Sequence, residues 1–250
     1  MSSNFIQPIC ESSLDSVTRA IRRVVISCKR ALTFSFIALC LSSAVIAQES
    51  DAPSLLAQTT PRELGSQMAV GDVVFIRVSA LPFKKVASAT QSWTNHVGIV
   101  IDVSGPEPLI GESAFPISKA TPLSRFVARS EGGRVAVSRL NTPLTSQQQA
   151  AVGRSAQKRM GILYDTGFNL DSKRQFCSRY VREVLGEATG TEVGEVENFS
   201  TLLTRNPNVD LAFWKIWYFG NIPYQRRTVT PASLLHSPSL HSVFDGNSRS

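Results

Sequence analysis

Between residues 71 and 140 the apolar positions come in short runs separated by turn-forming clusters, whereas from residue 145 onward they recur at helical spacing. Gly71 and Asp72 open a β-branched and aromatic run from Val73 to Val78 that predicts a buried strand. Leu81 to Trp93 predicts a short helix after Pro82. Asn95 to Val103 predicts a second strand, the cluster from Ser104 to Pro108 a turn, and Leu109 to Ala114 an antiparallel return strand. Pro122 to Val127 reads as a connecting helix or turn, and Arg134 to Leu140 as a further strand. Thr145, with Gln148 three residues on, forms a capping-box pattern for a helix from about Ser146 to Arg159, ended by Gly161. Downstream of Cys177 the positions Tyr180, Val181, Val184 and Leu185 predict a helix that starts at or near the cysteine. The acidic stretch from Gly186 to Asn198 reads as an exposed loop. Residues 199–221 are the most aromatic part of the chain and read as core packing or a flap, with a cleft wall or a membrane-facing patch as the alternatives. A short helix after Thr230 is followed by a Ser- and Pro-containing tail holding His236 and His241 as surface residues.

The first 47 residues follow a different rule. Arg19, Arg22, Arg23, Lys29 and Arg30 precede an uncharged run from Ala31 to Ala47 that closes on Val45-Ile46-Ala47. That is the pattern of a signal peptide cleaved before Gln48, and it predicts an exported protein, periplasmic or secreted. The alternative is anchoring by an uncleaved leader, although the run falls short of the ~20 residues a spanning helix needs. Residues 48–70, rich in Ser, Thr, Pro and Gln, read as a linker or loosely ordered segment, and 71–250 as the folded domain. Removing the leader lowers the net charge from +7 to +4 without leaving a basic cluster, so no nucleic-acid partner is expected. Membrane association is compatible with this reading and not required by it. The oligomeric state is left open.

Cleavage also changes the cysteine count. Cys10, Cys28 and Cys40 leave with the leader and Cys177 alone remains, so it is either a buried inert thiol or a free and useful one. At a helix start a sulfur faces free N–H groups and the positive end of the helix dipole, which favours the nucleophilic thiolate. A thiol that attacks an amide carbonyl needs a base, and histidine serves when a third polar group orients it. Of the three histidines only His96 sits in an expected core strand. Glu112 is a carboxylate in an otherwise apolar strand, costly unless paired. Each anomaly explains the other if Glu112 accepts from His96 while His96 faces Cys177. The turn register that decides whether they meet is not fixed by the sequence. No Walker, Rossmann or zinc-ligand spacing occurs, so neither a cofactor nor a metal is implied.

In order along the chain, Gly71-Asp72-Val73-Val74-Phe75, Asn95-His96-Val97-Gly98-Ile99-Val100, Glu112-Ser113-Ala114, Tyr164-Asp165 and Phe176-Cys177-Ser178 resemble the permuted papain-like amidases of the YaeF/YiiX type. The resemblance spans about Gly71 to Leu235. It implies an α+β fold, a circularly permuted papain-like (NlpC-type) domain whose antiparallel sheet packs against helices that include the nucleophile helix. It also implies Cys177 as nucleophile, His96 as base, Glu112 as the residue orienting it, and the Cys177 N–H as part of an oxyanion hole. Tyr164 and Asp165, from the same motif set, are the candidate substrate-binding residues. Arg179 departs from the glutamate often found after Cys-Ser in this family, and reads as solvated surface. The activity implied is cleavage of an amide or peptide through a thioester, the substrate being a cell-wall peptide, an N-acyl amino acid or a lipid-linked amide. Acyl transfer of the lecithin–retinol acyltransferase-like type, or silent binding of a peptide or lipid, are the alternatives.

Overall fold

Two apolar layers separated by one sheet account for the continuous hydrophobic runs. The computed structural model describes residues 56–249, which lie in one compact unit; the leader and its cleavage site fall outside the described residues. In chain order the elements are β1 (Ala57–Thr59), α1 (Pro61–Ser66), β2 (Val73–Val78), α2 (Leu81–Ala89), β3 (His96–Asp102), β4 (Leu109–Ser113), β5 (Ser118–Pro122), α3 (Leu123–Val127) and β6 (Ser130–Leu140). Then follow α4 (Ser146–Gln157), α5 (Cys177–Thr189), β7 (Glu197–Asn198), α6 (Phe199–Arg205), α7 (Leu211–Trp217), β8 (Arg227–Thr228), α8 (Pro231–Leu235) and β9 (Leu240–Ser248). The fold is α+β. Its main sheet has seven strands in the order β1-β9-β6-β2-β3-β4-β5, antiparallel throughout except for the β1–β9 pair.

Strands β2 and β3 are buried on both faces, which is why they lack polar alternation. Val73, Phe75, Val97 and Ile99 join Tyr180, Val181, Val184 and Leu185 of α5 in one core. Val74, Ile76, Val100 and Ile110 join Leu64 of α1 and Leu123 and Phe126 of α3 in the other. Two glycines set the spacing on these faces. A Cβ at Gly111 would lie 2.6 Å from the Tyr180 hydroxyl, so its absence lets α5 press against β4. A Cβ at Gly98 would lie 2.5 Å from Ile110 and 3.0 Å from Phe126, so its absence admits Phe126.

Several expectations from the sequence need correction. Residues 57–70 are ordered rather than a linker: β1 pairs with β9, and α1 carries a complete Thr60–Glu63 capping box and buries Leu64. The final tail is strand β9, paired with β6 along most of its length. Helix α5 runs through Gly186 to Thr189, so the loop is shorter than its composition implies. Asp72 is a structural corner residue, held by Arg139 through Nε at 2.7 Å and Nη2 at 2.8 Å.

Candidate active site

Continuing the β3–β4 register from Ile99 opposite Gly111 places Gly98 opposite Glu112. His96 is then the diagonal neighbour of Glu112 on the same side of the hairpin, within side-chain reach. The contact is made. His96 Nε2 and Glu112 Oε2 lie 2.6 Å apart, with both residues essentially inaccessible to solvent. The imidazole is held edge-on by Phe83, 5.8 Å between ring centroids, and backed by Phe126 at 5.7 Å.

Glu112 has two further partners that sequence reading missed. The Thr121 hydroxyl, on β5, donates to Oε1 at 2.6 Å, and Arg129 Nη2 donates to Oε2 at 2.7 Å. The carboxylate therefore accepts three bonds at a site with no solvent exposure, satisfying the rule that a buried charge must be paired. Burial alone would raise its pKa, but the bond and charge of His96, with Arg129 and Thr121, outweigh it and hold the carboxyl down at about 2. For His96 burial again works against charge. The contacts with Cys177 and then with Glu112 overcome it and raise the imidazole to about 9.

Cys177 is the first residue of α5. Its N-cap, Phe176, is extended and supplies no capping side chain, so the first-turn N–H groups are left free at the sulfur. Ser178 anchors this turn by donating to the Val229 carbonyl at 2.7 Å. Two buried polar atoms close to the thiol make no well-formed hydrogen bond, His96 Nδ1 and Tyr164 Oη. Cys177 is the polar group both of them face, and it influences the ionisation of each. Burial first, and then the neighbouring Cys177, push the Tyr164 phenol well above its ordinary range, so it stays a protonated donor.

Residues 67–244 match the family described as permuted papain-like amidase enzyme, YaeF/YiiX, C92 family. The chain belongs to this family. It is 30% identical over 177 residues to the uncharacterized protein YiiX of Escherichia coli strain K12, an alignment covering 71% of this chain and 86% of that one. A crystal structure described as metalloprotein YiiX from Escherichia coli O157:H7 superposes with a TM-score of 0.66 at 30% identity, covering 72% of this chain and 98% of that one.

In this member of the family the histidine strand precedes the cysteine helix, and the two meet through packing of α5 on β3 and β4. The other motif residues have structural duties. Asn95 accepts from the Val78 N–H at 2.7 Å and donates to the Val78 carbonyl at 3.0 Å, fixing the strand end beside His96. Asp165 accepts from the backbone N–H groups of Gly167 at 2.9 Å and Asn169 at 3.1 Å, so its carboxylate shapes the loop that follows Tyr164. Arg179 is not solvated surface. Its guanidinium bonds Glu183 at 2.6 Å and the carbonyls of Ser172 at 2.6 Å and Arg174 at 2.8 Å, tying the loop before the nucleophile to α5. A cleft whose space is about 650 Å³ with open solvent included opens beside Cys177 and Tyr164. The aromatic segment supplies one of its walls through Phe199, Trp214 and Tyr218 while also packing a small core of its own.

Proposed function

We propose that the protein is an exported cysteine amidase in which Cys177 is the nucleophile, His96 the base and Glu112 the residue that orients His96. The observation that carries the reading is the pair of buried polar atoms without a bond, His96 Nδ1 and Tyr164 Oη, both turned to the sulfur. With Nε2 committed to Glu112, Nδ1 is the atom free to take the thiol proton. The thiolate attacks the amide carbon, and the C–S bond forms as the carbonyl electrons move to oxygen. That oxyanion is received by the Cys177 N–H and the Tyr164 hydroxyl. His96 then gives its proton to the leaving nitrogen, the C–N bond breaks and a thioester remains. Water, deprotonated by His96, attacks the thioester and the C–S bond breaks. The products are the carboxylate and the amine, with the proton returned to the site.

The Escherichia coli O157:H7 relative is described as a metalloprotein. Here His96 Nε2 is taken by Glu112, and no three His, Cys, Asp or Glu side chains among the described residues are grouped so as to hold a metal ion. The donor set at this site does not fit a metal. Export rests on the leader pattern alone; no described helix is long and apolar enough to cross a membrane.

Acyl transfer uses the same three residues and differs in the group that resolves the thioester. The aromatic wall of the cavity is the observation that keeps it as a second reading. The deciding measurement is the rate of iodoacetamide modification of Cys177 against pH, in wild type and in His96→Ala. A fast rate persisting well below pH 8, and lost in the variant, is expected. A slow rate in both, rising only near the ~8.5 of a free thiol, would refute the thiolate–imidazole pair. Resolving a trapped acyl-enzyme with water alone or with added amine separates hydrolysis from transfer.

A further inference from the structure

Most of the large apolar side chains left exposed lie in two groups, one at each end of the segment that carries Tyr164. Among them Phe115 is 71% exposed, Leu163 55%, Ile216 79% and Phe219 93%. In the first group Ile117, itself exposed, pairs with Leu163, and the Tyr164 N–H donates to the Pro116 carbonyl at 2.9 Å, which sets Phe115 alongside. In the second, α7 ties down the other end of the segment. Trp217 Nε1 donates to the Thr166 carbonyl at 2.9 Å and the Tyr218 hydroxyl to the Gly167 carbonyl at 3.3 Å, while Ile216 and Phe219 stay in solvent. From Leu163 to Thr166 the chain spans at most about 10 Å. Phe219 is held in the left-handed backbone region, at φ 50°, ahead of Gly220 at φ 88°. That is a costly setting for an aromatic residue, and in the folded chain its exposed side chain has almost no packing to offset it.

Charge decides what such a surface fits. Lys119 follows Ile117 on the edge strand β5, Arg174 precedes Gln175, which bridges to Tyr164, and Lys215 precedes Ile216 on α7. All three are exposed, and none is ion-paired among the described residues. The acids nearby are already matched: Asp210 by Lys85, Asp171 by Arg227, and Asp165 by the N–H groups of its own loop. A second copy docked across a two-fold axis would set these cations against their own images. A layer of anionic headgroups neutralises them, and the acyl region beneath it takes up the apolar tips. Trp217 and the exposed Tyr224 add the residue types that favour that boundary. We propose that this rim, from Phe115, Ile117 and Leu163 to Ile216 and Phe219, is a docking surface for an anionic lipid bilayer. The docking does not depend on the amidase reading and would hold with Cys177 inert.

The test is sedimentation of the exported form, beginning at Gln48, with vesicles of phosphatidylcholine alone or with a third phosphatidylglycerol, at low and high salt. The protein should sediment with the anionic vesicles at low salt and much less with the neutral ones. Phe115→Ser and Phe219→Ser, one from each group, should each lower the partition coefficient about tenfold. Lys119→Gln and Lys215→Gln should each lower it about fivefold on the anionic vesicles. Thermal melts and Cys177 alkylation of all four variants should match wild type, which separates lost docking from a folding defect. Failure to sediment with anionic vesicles overturns the proposal, as does binding that neither serine variant weakens or that is indifferent to phosphatidylglycerol and both lysine variants. A concentration-dependent dimer in analytical ultracentrifugation that Phe219→Ser dissolves would assign the surface to a second copy instead.

Discussion

Glu112→Gln changes one charge and almost no volume, and it isolates what the carboxylate does for His96. In the wild type Oε2 accepts from both His96 and Arg129, and Oε1 accepts from Thr121. A glutamine can keep this pattern by aiming its oxygen at His96 and Arg129 and its amide N–H at the Thr121 oxygen, whose hydroxyl rotates to accept. Two charge-assisted bonds then become bonds to a neutral acceptor. The difference between those classes is roughly 1 kcal/mol each, so the variant loses about 2 kcal/mol and about 4–8 °C in Tm for a domain of this size. Glu112→Ala, by contrast, leaves His96 and Arg129 facing a void, and costs about 3–5 kcal/mol. Loss of the charge also lowers His96 from about 9 part of the way toward its ordinary value of 6.5. Each unit of that fall is about 1.4 kcal/mol, or tenfold, removed from the imidazolium that stabilises the thiolate. Iodoacetamide modification of Cys177 at pH 6 should drop by about tenfold in the Gln variant, and the acid limb of the profile should move to higher pH. A Gln variant with the wild-type rate and profile, at whatever stability, would show that Glu112 does not support the base and would remove it from the mechanism.

Tyr164→Phe deletes an oxyanion donor that has no bond in the resting site; kcat should fall by about 10²–10³ with Cys177 alkylation and Tm unchanged, which steady-state kinetics on an amide substrate and thermal melts would check. Gly111→Ala drives a methyl to 2.6 Å from the Tyr180 hydroxyl and pushes α5 off β4; a loss of about 1–3 kcal/mol in urea unfolding is expected, with a slower Cys177 alkylation because the helix carries the thiol. The pH dependence of stability has two edges. Glu112, held at about 2 against an ordinary 4.5, contributes stability that is complete above 4.5 and lost as pH falls through 2, while His96, raised from 6.5 to about 9, contributes stability complete below 6.5 and lost as pH rises through 9. The urea midpoint should therefore decline on both sides of a plateau near pH 5–6, and Glu112→Gln should flatten the acid side; a wild-type midpoint that does not fall below pH 4 would contradict the buried ion pair.

What could be read from sequence divides along the range of the interaction concerned. Runs such as Val73 to Val78 and His96 to Asp102 announce strands because burial on both faces forbids polar residues, a constraint written locally in the residues themselves. The α5 stripe is local in the same way, and so is the anomaly of a carboxylate at Glu112. Strand β9 has no local signature because its pairing energy comes from β6, about a hundred residues away, and needs no alternation of its own. Element β1 is three residues long and exists only because β9 offers an edge, whereas the Thr60–Glu63 capping box of α1 is a local signal carried by the sequence itself.

The same division runs through the site. That a carboxylate at Glu112 needs a partner is legible in the sequence, and His96 is the partner it offers; the further donors Thr121 and Arg129 are not legible. Arg125 and Arg129 both follow Glu112 beyond β5, and only the turn of α3 onto β6 decides that Arg129 reaches Oε2 while its guanidinium lies over the Phe126 ring. Phe126 in turn backs His96, and it can do so only because Gly98 carries no side chain. The glycine in the histidine strand, read as part of a motif, is thus a steric requirement of the aromatic wall behind the base. Arg129, Phe126 and Gly98 form one mechanical unit with the His96–Glu112 pair. Of the three, only Arg129 is partly exposed, so Arg129→Lys should alter the rate of Cys177 alkylation before it alters the fold.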